Sequence, residues 1–217
     1  MTRTIGLLEN ASPDLAARLD ALAETVRLSP GEILFGQGDA GEALYSVLSG
    51  EVEVSVLSAE GRKLTLDIMR PGAVLGEIAL FDPGPRTATV TAIAETRLSR
   101  IRNRDLQAEL RRSPELAVEL VRLAGQRMRW MNRQFTDQVF LPMSLRLARR
   151  LLYLTEGRDG PLAMSQAELA EFTGATREAV SRVLGEWKAA GLVEVSRRGL
   201  GVTDRAALSR IADFGEV

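Results

Sequence analysis

The 217-residue sequence contains neither cysteine nor histidine. Without cysteine there is no disulfide bond, no iron–sulfur cluster held by thiolates, and no zinc or haem site with a cysteine ligand. Without histidine the chain lacks the usual axial ligand of haem and the side chain that most often acts as a general base near neutral pH. These two absences exclude the commonest redox and metal sites and disfavour most acid–base enzymes.

Long apolar runs and a strong net charge are absent as well. No segment approaches the ~20 apolar residues of a membrane helix, and residues 1–14 lack the apolar stretch of a signal peptide. The formal net charge is −1, so any contact with nucleic acid has to come from locally placed arginines rather than from bulk charge. We therefore expect a cytoplasmic, bacterial-type protein with no membrane contact.

The first feature that the sequence does contain is a β-rich segment. Between residues 26 and 101, short apolar runs alternate with turns that contain glycine or proline. Residues 50–56 alternate between polar and apolar side chains, and residues 87–91 are rich in β-branched ones. Many short strands at close spacing predict a compact antiparallel barrel or jelly roll, and a short helix is predicted before it, over residues 12–24.

Residues 76–90, within this segment, combine the groups that a phosphate ligand needs. The turn begins with Gly76-Glu77 and ends with Arg86-Thr87, so one carboxylate and one guanidinium flank a bed of backbone N–H groups. Because burying a phosphate without a cation would be costly, Arg86 is the first candidate. The set suits a ligand with one phosphate diester and a ribose hydroxyl. The alternative is a buried ion pair between Glu77 and Arg86 that only holds the turn.

A long helix is predicted from Pro114, which follows the capping candidate Ser113, to about Val139. Six apolar residues, which we call the dimer seam, are spaced four and three residues apart in turn, as in a coiled coil: Ala117, Val121, Ala124, Met128, Met131 and Phe135. We expect the seam to form a parallel homodimer; the alternative is a helix that lies on its own domain. Phe140-Leu141-Pro142 ends the helix, because proline cannot continue it, and predicts a hinge.

The C-terminal part has the pattern of a helix-turn-helix. Ser165 and Glu168 predict a capping box at the start of one helix, Gly174 supplies the turn, and Thr176 caps the second helix. The buried side of the second helix follows helical spacing: Val180, Val183, Leu184 and Trp187. The opposite side presents polar residues that, with Thr176, are candidates for DNA contact: Arg177, Glu178, Ser181 and Arg182.

The second helix of such a motif meets the edges of DNA bases. Arginine can donate two hydrogen bonds to guanine O6 and N7, and glutamate can accept one from cytosine N4. The alternative for Glu178 and Arg182 is a surface ion pair one helical turn apart. A two-stranded wing is predicted over residues 191–202, with Arg197 and Arg198 at its tip for phosphate contacts.

Together these segments resemble the CRP/FNR family of bacterial transcription regulators. Residues 31–39 and 44–52 are similar to the opening strands of cyclic nucleotide-binding domains, residues 76–90 to their phosphate-binding cassette, and residues 177–182 to the family's recognition helix. The resemblance implies an α+β fold in three parts: an N-terminal antiparallel β jelly-roll sensor domain (1–112), a long dimerisation helix with a hinge (113–141) and a C-terminal winged helix-turn-helix (142–217).

The resemblance also implies roles for single residues. Glu77 would accept the ribose 2′-hydroxyl, Arg86 would pair with the cyclic phosphate, and Thr87 would donate a further hydrogen bond to it. The backbone groups expected around the ligand belong to the same turn: Gly76, Ile78 and Ala79. Met131 and Asn132 stand where a family member has a Thr-Ser pair against adenine. Asparagine can donate and accept while methionine only packs, so the identity of the base stays open.

The implied function is a ligand-gated, sequence-specific transcription regulator, a homodimer that binds a TGTGA-like palindrome and responds to cyclic AMP or cyclic GMP. Its implied partners are double-stranded DNA, the cyclic nucleotide and RNA polymerase, with no obligatory cofactor, metal or catalytic residue. One alternative is a regulator of the same fold that is constitutive or answers to a different small molecule. The other is an enzyme that uses Glu77 and Arg86 on a phosphodiester, which would leave the helix-turn-helix unexplained.

Overall fold

A computed structural model describes residues 13–158, 160–196 and 199–214. These residues form two compact units. The first runs to Val56 and resumes over Leu66–Met131, and the second comprises Leu57–Thr65 and the residues from Asn132 onward. Arg197 and Arg198, the predicted phosphate contacts of the wing, lie outside the described residues.

The first unit contains two four-stranded sheets. Its strands are, in chain order, β1 (Glu24–Leu28), β2 (Ile33–Phe35), β3 (Ala43–Ser49), β4 (Val52–Leu57), β5 (Lys63–Met69), β6 (Val74–Leu75), β7 (Thr89–Ala92) and β8 (Thr96–Arg102). One sheet has the order β1-β8-β3-β6 and the other the order β2-β7-β4-β5. The pairs whose register is described are antiparallel.

The two sheets share an apolar core. Val52, Val54 and Val90 from one sheet are buried together with Val47 and Leu98 from the other. Short strands rich in valine and leucine fit a pleated surface that is covered on one side. The prediction of an antiparallel jelly roll is therefore confirmed.

Four helices belong wholly or partly to this unit: α1 (Pro13–Leu22), α2 (Ile78–Phe81), α3 (Asn103–Arg112) and α4 (Pro114–Phe140). They form a second core with the ends of the sheets, to which Leu19, Leu80, Leu106, Leu116 and Leu120 contribute. Because Leu116 and Leu120 lie four residues apart, one side of the first turns of α4 is buried. α4 begins at the predicted proline and ends one residue beyond the predicted Val139.

The second unit contains the predicted helix-turn-helix and wing. Its further elements are α5 (Met143–Leu154), α6 (Gln166–Thr173), α7 (Arg177–Ala189), β9 (Val193–Ser196), β10 (Gly199–Val202) and α8 (Arg205–Phe214). Ser165 and Glu168 form the predicted capping box, Gly174 ends α6 in the left-handed conformation with φ 63°, and Thr176 caps α7. β9 and β10 pair in an antiparallel hairpin, as predicted for the wing.

Two arginines of α5 hold the end of α4 within this unit. Arg146 donates from Nη1 to the carbonyl oxygen of Leu141 at 3.0 Å. Arg149 forms an ion pair with Asp137 at 2.7 Å and donates from Nε to the carbonyl oxygen of Ala212 in α8. Cations at the last carbonyls of a helix are favourable because those groups lack partners within the helix. The last turns of α4 are thus fixed to α5 at Asp137 and, one residue beyond the helix, at Leu141.

Candidate ligand and DNA-binding sites

The candidate ligand site is built where β6 passes into α2. Gly76, between these elements, has φ +81°, and a Cβ atom there would lie 2.5 Å from Nη1 of Arg86 and 2.9 Å from the carbonyl oxygen of Ala43. Both the conformation and the space therefore require glycine at this position. The missing side chain lets the guanidinium of Arg86 approach the backbone closely.

Arg86 is only 6% exposed. Its Nη1 donates to the carbonyl oxygen of Gly76 at 3.1 Å and its Nη2 to that of Ala43 at 2.7 Å. Among the described residues it forms no ion pair, and its Nε is buried without a hydrogen-bond partner. Burial lowers the pKa of Arg86, while Tyr45 and Glu77 oppose that shift. A buried cation that forms no ion pair within the described residues is well suited to hold an anionic ligand.

Glu77 directly precedes α2 and is 5% exposed. Its Oε1 lies 3.4 Å from Nε of Arg127 in α4, and Nη1 of Arg127 lies 3.7 Å from Oδ2 of Asp67 in β5. The guanidinium of Arg127 also lies 5.1 Å from the ring centre of Trp130. The alternative of an ion pair between Glu77 and Arg86 is therefore wrong for this structure, because Glu77 pairs with α4 instead.

Arg127 and Asp67 are members of the site that the sequence analysis missed. Arg127 follows Leu116, Leu120 and Leu123 at helical spacing, on the side of α4 that faces the first unit. A charged residue at the next position of an apolar stripe was the available signal, since burying it requires a partner. Asp67 gave no such signal, because it alternates with Leu66 and Ile68 in β5 and such alternation predicts a solvent-facing side chain, whereas Asp67 is buried.

The other predicted ligand residues differ in how they are placed. Ile78 and Ala79 form the first turn of α2, where backbone N–H groups lack partners within the helix. Asn103 of α3 donates from Nδ2 to the carbonyl oxygen of Ala79 at 3.2 Å and ties this turn to the unit. Thr87 is exposed. The structure thus brings Gly76, Glu77, Ile78, Ala79 and Arg86 into one turn region.

Met131 and Asn132, the candidates for contact with the base, are exposed on α4. Met131 is the last residue of the first unit and Asn132 the first of the second. Their predicted contact with the base stays a prediction.

The dimer seam lies on the other side of α4 from Leu116 and Leu120. Val121 is 70%, Met128 66% and Phe135 71% exposed. Ala117 and Met131 are exposed as well, and Ala124 is partly exposed. The same helix therefore buries one apolar side within its own chain and exposes a second one. A helix that lies wholly on its own domain, the alternative interpretation, would not have this second exposed side.

The candidate DNA-binding side of α7 is exposed. Val180, Val183, Leu184 and Trp187 are buried as predicted. Four polar residues stand on the opposite side in solvent: Arg177, Glu178, Ser181 and Arg182. Neither Glu178 nor Arg182 forms an ion pair in the described part of the chain. The alternative of a surface ion pair is therefore not observed, and both side chains are available to a partner.

The described residues contain no group of three or more acidic side chains placed to hold a metal ion. None of their helices is both long and apolar enough to cross a membrane.

Comparisons with known proteins agree with a ligand site in the N-terminal part and a DNA-binding site in the C-terminal part. Residues 25–113 match the family model of the cyclic nucleotide-binding domain, and residues 145–211 match that of the Crp-like helix-turn-helix domain. The "CRP-like cAMP-activated global transcriptional regulator" of Mycobacterium tuberculosis is 30% identical, with 95% of this chain and 96% of that protein covered. The "Cyclic AMP receptor protein" of Thermus thermophilus is 37% identical over 87% of this chain and 88% of that one.

A solved structure from the same family has the same fold. A transcriptional regulator of the CRP family from Thermus thermophilus is 28% identical, covers 88% of this chain and 97% of its own, and superposes with a TM-score of 0.75. Two of these relatives are named as transcription regulators, in agreement with the prediction of a regulator rather than an enzyme. Domain content, identity along nearly the whole chain and fold lead to one conclusion: this chain belongs to the CRP/FNR family of transcription regulators.

Proposed function

We propose that the chain is a homodimeric transcription regulator whose binding to DNA is controlled by a cyclic mononucleotide, cyclic AMP or cyclic GMP. The observation that carries this proposal is the buried guanidinium of Arg86, which has two backbone carbonyls as acceptors and no carboxylate partner among the described residues. A cyclic phosphate would supply an anion in direct contact with Arg86. Two of the relatives are named for cyclic AMP, which supports the same class of effector.

Glu77 would bind the other end of the ribose-phosphate. Its carboxylate is buried close to Arg127, so a ribose 2′-hydroxyl that donates to Glu77 would also act on α4 through the 3.4 Å contact between the two side chains. Thr87 would add a hydrogen bond to the phosphate from its exposed hydroxyl. Met131 and Asn132 would meet the base from the end of this helix segment, and Asn132 can serve adenine or guanine.

The dimer would form along the dimer seam of α4. Val121, Met128 and Phe135 expose large apolar side chains at coiled-coil spacing, and a second copy of the helix is the partner that fits such a repeat. In a two-fold dimer the two α7 helices can stand about one DNA turn apart, ~34 Å, and match a palindrome. By resemblance the half-site is TGTGA-like, with Arg182 on guanine and Glu178 on cytosine.

A path from α4 to α7 exists inside the second unit. The side chain of Gln138, in the last turns of α4, packs against Gly174, where an added Cβ would lie 2.8 Å from Nε2. Gly174 is the turn between α6 and α7. A change in the last turns of α4 would therefore act on the helix that contacts DNA. We propose that residues 1–112 form the sensor domain, residues 113–141 the dimerisation helix and hinge, and residues 142–217 the DNA-binding domain. The regulator would act in the cytoplasm and contact RNA polymerase.

Calorimetric titration of the full chain with cyclic AMP and with cyclic GMP tests the effector. We expect heat of binding with at least one of them, and a loss of about 30- to 1,000-fold in affinity for Arg86→Gln, since removing one partner of a buried charge pair costs ~2–4 kcal/mol. Arg129→Gln, an exposed residue of α4, serves as the control with unchanged affinity. No heat with either nucleotide would contradict the proposal and leave a constitutive regulator or one with a different small molecule.

A further inference from the structure

The guanidinium of Arg86 lies over an aromatic ring. Its central carbon is 4.2 Å from the ring centre of Phe35 and 5.7 Å from that of Tyr45, and the two rings are 5.8 Å apart. We propose that Phe35 is a positioning residue, which holds the guanidinium of Arg86 in the orientation that receives the ligand's anionic group. This inference rests on the proposed function, because it concerns the same ligand at the same site.

The hydrogen bonds of Arg86 show why a ring is needed there. One N–H of Nη1 and one of Nη2 donate to the carbonyl oxygens of Gly76 and Ala43, so each nitrogen has a second N–H to donate. These two bonds hold the outer edge of the guanidinium. Nε, at the inner edge, is buried without a hydrogen-bond partner, so no polar contact fixes it. The face of Phe35 is the contact that keeps the plane of the group from tilting.

The backbone of β2 places Phe35 in this position. In the pairing with β7, Ile33 stands opposite Thr91 and Phe35 opposite Val90. Between these two pairs β2 advances by two residues while β7 advances by one. Such a β-bulge changes the direction of the side chains that follow it and is common beside binding sites. Ile33 is 59% exposed, whereas Phe35 is partly buried beneath Arg86.

An aromatic face attracts a cation electrostatically, and the attraction grows as water is excluded. An aliphatic side chain fills the same space without that attraction. The role assigned to Phe35 therefore depends on the ring and not on apolar volume, which separates a positioning role from a packing role.

Two variants test the inference. Phe35→Leu removes the ring and keeps apolar volume, and Phe35→Tyr keeps the ring. We expect Phe35→Leu to lower the affinity for cyclic AMP or cyclic GMP by about five- to tenfold, and Phe35→Tyr to stay within about twofold of the unaltered protein. Ile33→Val, on the same strand and exposed, is the matched control with no change.

A measurement without ligand completes the test. In the ¹H–¹⁵N spectrum of the arginine Nε groups, the Arg86 signal, assigned by its loss in Arg86→Lys, should show an upfield ring-current shift. That shift should disappear in Phe35→Leu and remain in Phe35→Tyr. Phe35→Met, which is longer than leucine, replaces Phe35→Leu if the latter does not fold.

The outcomes separate the two proposals. If the unaltered protein binds nucleotide and the Phe35→Leu variant binds it with equal affinity, the role of Phe35 is overturned and the proposed function stands. An Arg86 signal without a ring-current shift would do the same. If the unaltered protein binds neither nucleotide, the proposed function fails, and the role of Phe35 in ligand binding fails with it.

Discussion

Arg86 and Arg127 lie in the same unit, yet their charges are balanced differently. Arg127 has Glu77 and Asp67 within ion-pair distance, whereas Arg86 has backbone carbonyls, the face of Phe35 and no carboxylate at ion-pair distance among the described residues. The charges of these four side chains sum to zero, but only Arg127 is in direct contact with its counter-charges. The phosphate of the proposed cyclic mononucleotide would give Arg86 an anion in direct contact.

Arg182 is a further single residue with a specific expected role, contact with a base. Arg182→Ala should reduce the preference for one base at one position of each half-site, because a bidentate contact to guanine contributes ~1–3 kcal/mol of discrimination. The measurement is the affinity for a set of palindromes in which each position is varied in turn. Lys188→Ala, exposed at the far end of α7, should leave both affinity and preference unchanged. Equal weakening on all sequences would instead make Arg182 a phosphate contact.

Among the elements, α4 has two apolar sides with different roles. Leu116 and Leu120 are buried in the first unit, and the ion pair of Arg127 with Glu77 continues that side to the ligand turn. Val121, Met128 and Phe135 remain exposed. In the proposed dimer, α4 would belong both to the contact at the ligand turn and to the contact with a partner helix, so a change at the first would act on the second.

Removing the charge of Arg127 should destabilise the sensor. In Arg127→Gln the buried carboxylate of Glu77 loses the cation 3.4 Å from it, and this loss costs ~1–3 kcal/mol because Arg127 itself is only partly buried. We expect thermal unfolding of the ligand-free protein several degrees below that of the unaltered chain. Arg129→Gln, two residues along the helix and exposed, should unfold at the unaltered temperature. Equal unfolding temperatures for both variants would show that the pair contributes nothing to stability.

A charge in the dimer seam should separate the protomers. In Val121→Glu two carboxylates would meet across a parallel seam, and like charges in an apolar contact are strongly unfavourable. Sedimentation equilibrium should then give the mass of one chain, compared with that of two chains for the unaltered protein. Arg129→Glu places the same charge outside the seam and should remain a dimer. A dimeric Val121→Glu variant would contradict the seam as the dimer interface.

The sequence allows prediction of elements whose pattern repeats. The sides of α7 could be assigned because Val180, Val183, Leu184 and Trp187 follow helical spacing, and the structure confirms them. The partner of Glu77 could not be predicted, because Arg127 lies 50 positions away and a contact between distant segments leaves no local pattern. Phe35 was missed for a related reason, since a β-bulge changes which side chains share a face, and the alternation that predicts strands does not show it.

For the whole molecule, the family and the fold follow from the domain matches and the relatives. The proposed control of DNA binding connects three observations: the buried Arg86 without an ion pair among the described residues, the contact of Glu77 with Arg127 on α4, and the packing of Gln138 against Gly174. In a linked system of this kind the effector must change DNA affinity by the same factor by which DNA changes effector affinity.

The proposed control of DNA binding is tested by fluorescence anisotropy of a labelled TGTGA palindrome, titrated with the full chain at fixed salt with and without cyclic AMP. We expect cyclic AMP to increase DNA affinity at least about fivefold, which corresponds to a coupling of ~1 kcal/mol or more. The same factor is expected when cyclic AMP affinity is measured with and without saturating DNA. Tight binding to the palindrome that is unchanged by cyclic AMP and by cyclic GMP would contradict it.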